Sequence, residues 1–183
     1  MPATHAITVL APGFEESEAT LPIDLLRRAG IAVTVLGLES REVTGSHGIT
    51  LVADRLFAGF SDPFDAIVLP GGQPGARNLA ASHRLLELIR RTFDRGALCA
   101  AICAGPTVLA AAGILKGFRA TCYPGNEAAL TGATIVSLPV VRDRTIITSR
   151  GVGTAIPFGL EIIACLAGPD AAERVRAAIL YSA

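Results

Sequence analysis

The chain has 183 residues, 51% of them hydrophobic, and 16 Lys+Arg balance 16 Asp+Glu. That is enough chain for one domain with a substantial core, and too apolar for a disordered one. Even charge, no tryptophan and only two tyrosines argue against a nucleic-acid surface. In chain order, Ala6–Ala11 reads as a buried strand, Pro12-Gly13-Phe14 as a loop and Glu16–Ala29 as a helix stopped by Gly30. Ile31–Leu38 is a second strand, and strand–helix–strand at this spacing implies a parallel sheet. Arg41–Val52, with Gly45 and Gly48 around Ser46-His47, reads as a short β-excursion or hairpin. Asp65–Leu69 is a strand ending at Pro70-Gly71-Gly72, and helices follow over Gly75–Ala80 and Ser82–Arg95. Ala97–Ile102 is a strand and the segment from Pro106 to about Gly113 a helix. Then come a short strand Ala120–Cys122, a helical turn Glu127–Leu130, and strands Thr134–Val136, Val140–Arg142 and Thr145–Ser149. Helices over Thr154–Ala167 and from Pro169 to about Leu180 complete one α/β domain, residues 1–183, with helices on both faces of a sheet.

Met1 to His5 lacks a basic n-region, and Glu15, Glu16 and Glu18 follow the first apolar run closely, so a cytoplasmic protein is expected. Ala97 to Leu115 carries no charge and approaches the length of a membrane span. Gly105-Pro106 and Gly113 cut it, so a buried strand and a buried helix are the better reading, with no membrane partner. Cys99, Cys103, Cys122 and Cys165 form no C-x-x-C pair and only three histidines exist, so neither a metal site nor another cofactor is expected. Free thiols are the default in a reducing compartment.

The chemistry points to Ala100-Ala101-Ile102-Cys103-Ala104-Gly105-Pro106. Strand, sharp turn and helix with a thiol at the turn resemble the arrangement that presents a nucleophilic serine between two small residues, here Ala101 and Gly105. A helix start beside the thiol favours thiolate. Ligands of open α/β sheets bind beyond the carboxyl ends of the strands. Three loops leave such ends, namely Pro12–Glu18, Pro70–Gly75 and Cys103–Pro106, and their convergence would make a pocket. In the first loop, acids are favoured in the opening turn of a helix, yet one carboxyl turned inward to a thiolate would hold a proton and donate a hydrogen bond to sulfur. In the second, the glycine pair exposes N–H groups that, with the Ala104 N–H, form an oxyanion hole. No histidine follows Cys103. His5 lies at the far end of the sheet, His83 opens a surface helix, and His47 alone is placed near a site. Gly151-x-Gly153 lacks the third glycine of a dinucleotide motif, and no P-loop lysine follows Gly72.

These segments, with Leu10–Glu18, Arg27–Ile31, Val68–Gly72 and Thr148–Thr154, resemble the ThiJ/PfpI superfamily, and within it the parkinsonism-associated protein deglycase branch and its ThiJ/YajL-like bacterial members. The resemblance runs from the first strand to about Leu180 and implies a flavodoxin-like three-layer α/β sandwich that forms a homodimer. It places the nucleophile on Cys103, its protonated acidic partner on Glu18, oxyanion N–H groups on Gly72 and Ala104, and a dimer contact on Arg28. Arg150 takes the arginine of the S-R-G motif, with Glu15, Gly71, His47 and Tyr123 as further substrate or dimer contacts. Ala104 stands where the peptidase-like branch has histidine, which counts against proteolysis. Tyr123 replaces a histidine frequent in the deglycase branch, and His47 replaces an arginine of the loop after the second strand. The implied activity is glutathione-independent conversion of α-oxoaldehydes such as methylglyoxal to hydroxy acids, or removal of their protein and nucleotide adducts. The alternatives are a redox-responsive chaperone or sensor that uses Cys103 oxidation, and a hydrolase or peptidase of the wider superfamily.

Overall fold

The computed structural model describes residues 4–182, so the reading of Met1 to Ala3 lies outside it. Strand β1 (His5–Leu10) leads through helix α1 (Glu16–Arg28) to β2 (Ala32–Gly37). Short strands β3 (Glu42–Thr44), β4 (Thr50–Val52) and β5 (Arg55–Leu56) precede β6 (Ala66–Leu69). Helices α2 (Gly75–Ala81) and α3 (His83–Asp94) follow, then β7 (Leu98–Ile102) and α4 (Pro106–Ala111). Strands β8 (Arg119–Ala120), β9 (Thr134–Ile135), β10 (Val140–Asp143) and β11 (Ile146–Ser149) lead to α5 (Ala155–Ala167) and α6 (Pro169–Ala178).

Seven strands form one sheet in the order β10-β11-β7-β6-β1-β2-β5, parallel except where β10 meets β11. Alternation along the central strands divides the core. Ile7, Val9, Ile67, Leu69, Cys99 and Ala101 face the layer of α2, α3 and α4. Ala6, Ala66, Val68, Leu98, Ala100 and Ile102 face Leu25 and Leu26 of α1 and Phe158, Ile162 and Ile163 of α5. This is a flavodoxin-like α/β arrangement with helices on both sides of a mostly parallel sheet. Among the described residues no buried side-chain nitrogen or oxygen lacks a hydrogen-bond partner, and no helix is long and apolar enough to cross a membrane. The uncharged run Ala97–Leu115 divides into β7 and α4.

Several elements differ from expectation. Strand β5 is two residues that extend the sheet edge beside β2, too short to carry a periodic signal. The strand expected over residues 120–122 ends its pairing at Ala120, because the Thr121 N–H donates to Thr148 Oγ1 at 2.9 Å. Strands β8 and β9 form their own parallel pair outside the main sheet. The turn at residues 127–129 is a tight 3-10 turn, and another over residues 152–154 delays α5 by one residue. The hairpin is present as β3 and β4, antiparallel and separate from the main sheet.

Strand β1 lies between β2 and β6, so the chain runs outward in opposite directions from the β1/β6 boundary. Loops leaving β1 and β6 diverge there and open a crevice at the carboxyl ends. The packing of α1 on α5 holds one wall of it. Phe158 is fully buried between them and the sheet. Phe158→Ala is expected to lower unfolding free energy by about 3–5 kcal/mol, read from denaturant midpoints at unchanged m-value. A loss below about 1 kcal/mol would show that this layer collapses onto the cavity.

Candidate active site

The β7–α4 turn carries the thiol. Cys103 has φ +64°, a left-handed conformation that only two other non-glycine residues among those described adopt. Such a conformation costs about 1–3 kcal/mol and persists only where the surroundings over-determine it. Here the Cys103 N–H donates to the Ser149 carbonyl and the Tyr123 N–H to the Cys103 carbonyl, both at 2.9 Å. The turn also reverses the strand alternation. Cys99 and Ala101 face the α2–α4 layer, and Cys103 would follow them; instead it packs against the α1–α5 layer, while Ala104 takes the opposite side. The thiol is thereby delivered to α1.

Helix α1 begins with three acids, and each has a different place. Glu15 caps the helix, its Oε2 accepting the Glu18 N–H at 2.6 Å. Glu16 turns to the β3–β4 loop, where its Oε1 accepts the N–H groups of His47 at 2.7 Å and Ile49 at 3.2 Å. Glu18, 1% exposed, turns inward to the thiol, and its Oε2 accepts the Gly71 N–H at 3.0 Å.

Glycine at position 71 makes the contact possible. A Cβ there would lie 2.6 Å from Cys103 Cβ, 2.7 Å from the Ala104 nitrogen and 2.7 Å from Glu18 Oε2. Thiol, carboxyl and N–H group therefore surround a point that any other residue would fill. Gly105 is equally constrained, since its Cβ would meet the carbonyls of Ile102 and Leu69 at 2.8 Å.

Burial pushes the Glu18 carboxyl up to about 7, with the Glu15 charge adding to the rise; hydrogen bonds from Cys103, Gly71 and Val152 oppose it. Burial also pushes the Cys103 thiol up to about 12, aided by the charge of Glu18 and the hydrogen bond between them, while the N–H groups of Ala104 and Gly72 pull it down. Burial and the neighbouring carboxylate thus oppose the thiolate that the N–H groups at the helix start favour. Helix α4 has only six residues, and the dry site and the neighbouring carboxylate outweigh its N–H groups. The resting pair is a thiol beside a carboxyl that ionises near neutrality. Such a carboxyl can take the thiol proton as an electrophile takes up the charge of the sulfur.

An open cleft of about 520 Å³ lies over the pair, lined by Glu15, Glu18, His47, Cys103, Tyr123 and Arg150 among others. Of the residues expected at the site, Gly71, Gly72 and Ala104 form its floor. Tyr123 stands exposed at the rim, and Arg150 is tied to Ser137 Oγ by its Nη1 at 2.6 Å. Arg28 is not brought there; it pairs with Asp24 at 2.6 Å on the outer face of α1. Glu16 is a further functional acid, and no sequence signal marks it, since its partner loop lies some thirty residues away in the chain. Ligand-type atoms of Glu15, Glu16 and His47 lie within 4.8 Å of one another, but N–H groups of Glu18, His47 and Ile49 already occupy these carboxylates.

The Glu18 shift has a sign that stability measurements can read. A carboxyl raised from 4.5 to about 7 by folding contributes stability that is full below pH 4.5 and is lost as pH rises through about 7. The loss approaches about 3 kcal/mol above neutrality. Glu18→Gln removes it, so the variant is expected to gain stability over the parent as pH rises through 7, measured by urea unfolding across pH. A difference that does not change with pH would contradict the raised carboxyl.

Comparison with known proteins bears on the family and the fold. Residues 4–165 match the DJ-1/PfpI family. The chain is 39% identical to the Parkinson disease protein 7 homolog of Danio rerio, covering 98% of each sequence. It is 34% identical to a protein of Pyrococcus abyssi named a deglycase, over 88% of this chain and 99% of that one. The crystal structure of DJ-1beta from Drosophila melanogaster superposes with a TM-score of 0.95 at 40% identity, covering 99% of this chain and all of that one. Fold and sequence agree, and the chain belongs to the DJ-1/PfpI family.

Proposed function

We propose that the protein is an enzyme acting on α-oxoaldehydes and their adducts, converting methylglyoxal to lactate without glutathione or another cofactor. The observation that carries the reading is the contact of a buried thiol with a carboxyl that ionises near pH 7, beneath an open cleft. The deglycase name of the Pyrococcus relative supports substrates of the same class, glycated groups or the aldehydes that form them.

The chemistry balances on these residues alone. Cys103 sulfur attacks the aldehyde carbon as Glu18 accepts the thiol proton. The carbonyl electron pair moves to oxygen, and Glu18 returns the proton there to give a hemithioacetal. The N–H groups of Gly72 and Ala104, which point at the sulfur, stabilise the oxyanion as it forms. Ionised again, Glu18 removes the proton from the carbon bonded to sulfur, and the enediolate takes it back at the neighbouring carbon. The aldehyde carbon is oxidised to a thioester as the ketone is reduced to an alcohol. Water then cleaves the carbon–sulfur bond and releases the hydroxy acid. Ala104 supplies no imidazole beside the thiol, which disfavours a peptidase.

A homodimer is part of the proposal. Ile49 and Val52 are exposed on the β3–β4 hairpin, and Val52 lines a groove with Ile23, Asp24 and Arg27 of α1. Sedimentation equilibrium is expected to give twice the monomer mass, and Val52→Glu to give monomer. A monomeric parent chain would remove this part of the proposal.

The reaction is tested by lactate formation from methylglyoxal without glutathione. Cys103→Ala is expected to fall to the uncatalysed rate, and Glu18→Gln to lose about 10²–10⁴-fold. Because the base form of Glu18 is the ionised one, the parent rate is expected to decline as pH falls below about 7. A parent enzyme no faster than Cys103→Ala would refute the enzymatic reading.

A further inference from the structure

The release of product needs a base for water, and Glu18 is poorly placed to supply it. Its carboxyl is 1% exposed and is engaged by Gly71, Val152 and Cys103 from below. Water reaches the acylated sulfur from the open side of the cleft, where His47 stands with its side chain 71% exposed.

His47 is held from two directions by one carboxylate. Its N–H donates to Glu16 Oε1 at 2.7 Å, and its ring Nδ1 lies 3.1 Å from Glu16 Oε2. Ile49 donates a further N–H to Oε1, and Ser46 Oγ lies 3.1 Å from the same Nδ1. The grip needs glycine at position 45, because a Cβ there would overlap the Glu16 carboxyl. Glu16 is 4% exposed; burial acts to raise its carboxyl, but the N–H groups of Glu16, His47 and Ile49 and the His47 ring together hold it below the usual range, so it stays ionised. An ionised carboxylate only accepts hydrogen bonds. The carboxylate is served by an Nδ1–H, and in the neutral ring this arrangement leaves Nε2 as the atom that accepts a proton. A carboxylate that orients an imidazole in the cleft of a nucleophile follows the logic of the hydrolytic triads, and here His47 and Cys103 line the same cleft although they lie far apart in sequence.

We propose that His47, oriented by Glu16, is the general base that activates the water releasing the acyl group from Cys103. This rests on the reading of Cys103 as acylated by α-oxoaldehydes. Nε2 takes a proton from water as the water oxygen attacks the thioester carbon, and the carbonyl pair moves to the oxygen held by Gly72 and Ala104. The carbon–sulfur bond then breaks, sulfur takes the proton from Nε2, and the second water proton leaves with the carboxylic acid. Glu16 is a positioning residue in this step.

His47→Asn tests it, because the shorter amide keeps a donor for Glu16 and lacks Nε2. In rapid-quench experiments on the full chain with methylglyoxal, acylation of Cys103 is expected at the parent rate and release of lactate to be slowed from the first turnover. Steady-state lactate formation is expected to fall at least about tenfold, with a lactoyl adduct on Cys103 building up in intact-mass spectra. Added imidazole is expected to restore turnover in His47→Ala, which repair of a structural defect would not do. Parent-like steady-state turnover without adduct in His47→Asn would overturn the role of His47 alone. Absence of lactate from the parent chain would overturn the underlying reaction, and this step with it.

Discussion

A partly buried thiol in contact with a buried carboxyl is the constraint on which the rest of the site depends. Neither group is stable there as an ion at no cost, since burial raises both. The fold meets this constraint with backbone. Gly71 N–H supports the carboxyl, the N–H groups of Gly72 and Ala104 support the sulfur, and the left-handed turn at Cys103 brings the side chain across the sheet to meet α1. Position 71 must then be empty of side chain, because the two reactive groups and an amide close around it. The strain of the turn is balanced by the two backbone hydrogen bonds of Cys103, which come from segments far away in the chain.

The opening of α1 shows how one short acidic stretch separates into distinct physical tasks. The helix period turns Glu15, Glu16 and Glu18 in different directions. One satisfies a free helix N–H, one gathers N–H groups of a neighbouring loop, and one enters the dry site. Glu16 and Glu18 ionise differently because their donors and surroundings differ. Glu16 meets several and is lowered, whereas Glu18 meets fewer in a drier place and is raised. Composition is the same for all three, so environment alone assigns the acid, the clamp and the cap.

Much of this was legible in the sequence. The Cys103 elbow was visible because small residues, a proline at the helix start and an apolar strand leave local marks. The convergence of three loops followed from the parallel sheet. What depends on distant segments was not legible. Strand β5 and the β8–β9 pair are two-residue strands stabilised by neighbours rather than by pattern. The thiol was expected to be acidic from its helix start, but its ionisation is decided by burial and by a carboxylate eighty-five positions earlier in the sequence. The Glu16–His47 contact likewise joins loops whose meeting only the folded chain reveals.

The site is also a ruler for the assembly of the sheet. Its parts hang from the ends of β1, β6 and β7, which pair as Ala6 with Ala66, Ala66 with Leu98, and onward in register. A slip of two residues between β1 and β6 would keep every side chain on its proper face. It would nevertheless carry the Glu18 loop about 7 Å along the strand, and the carboxyl would leave the thiol. A chain misassembled in this way would retain its secondary structure and most of its apolar burial while its cysteine became chemically ordinary. Reactivity at one sulfur atom therefore reports an alignment that spectroscopic measures of folding would pass over.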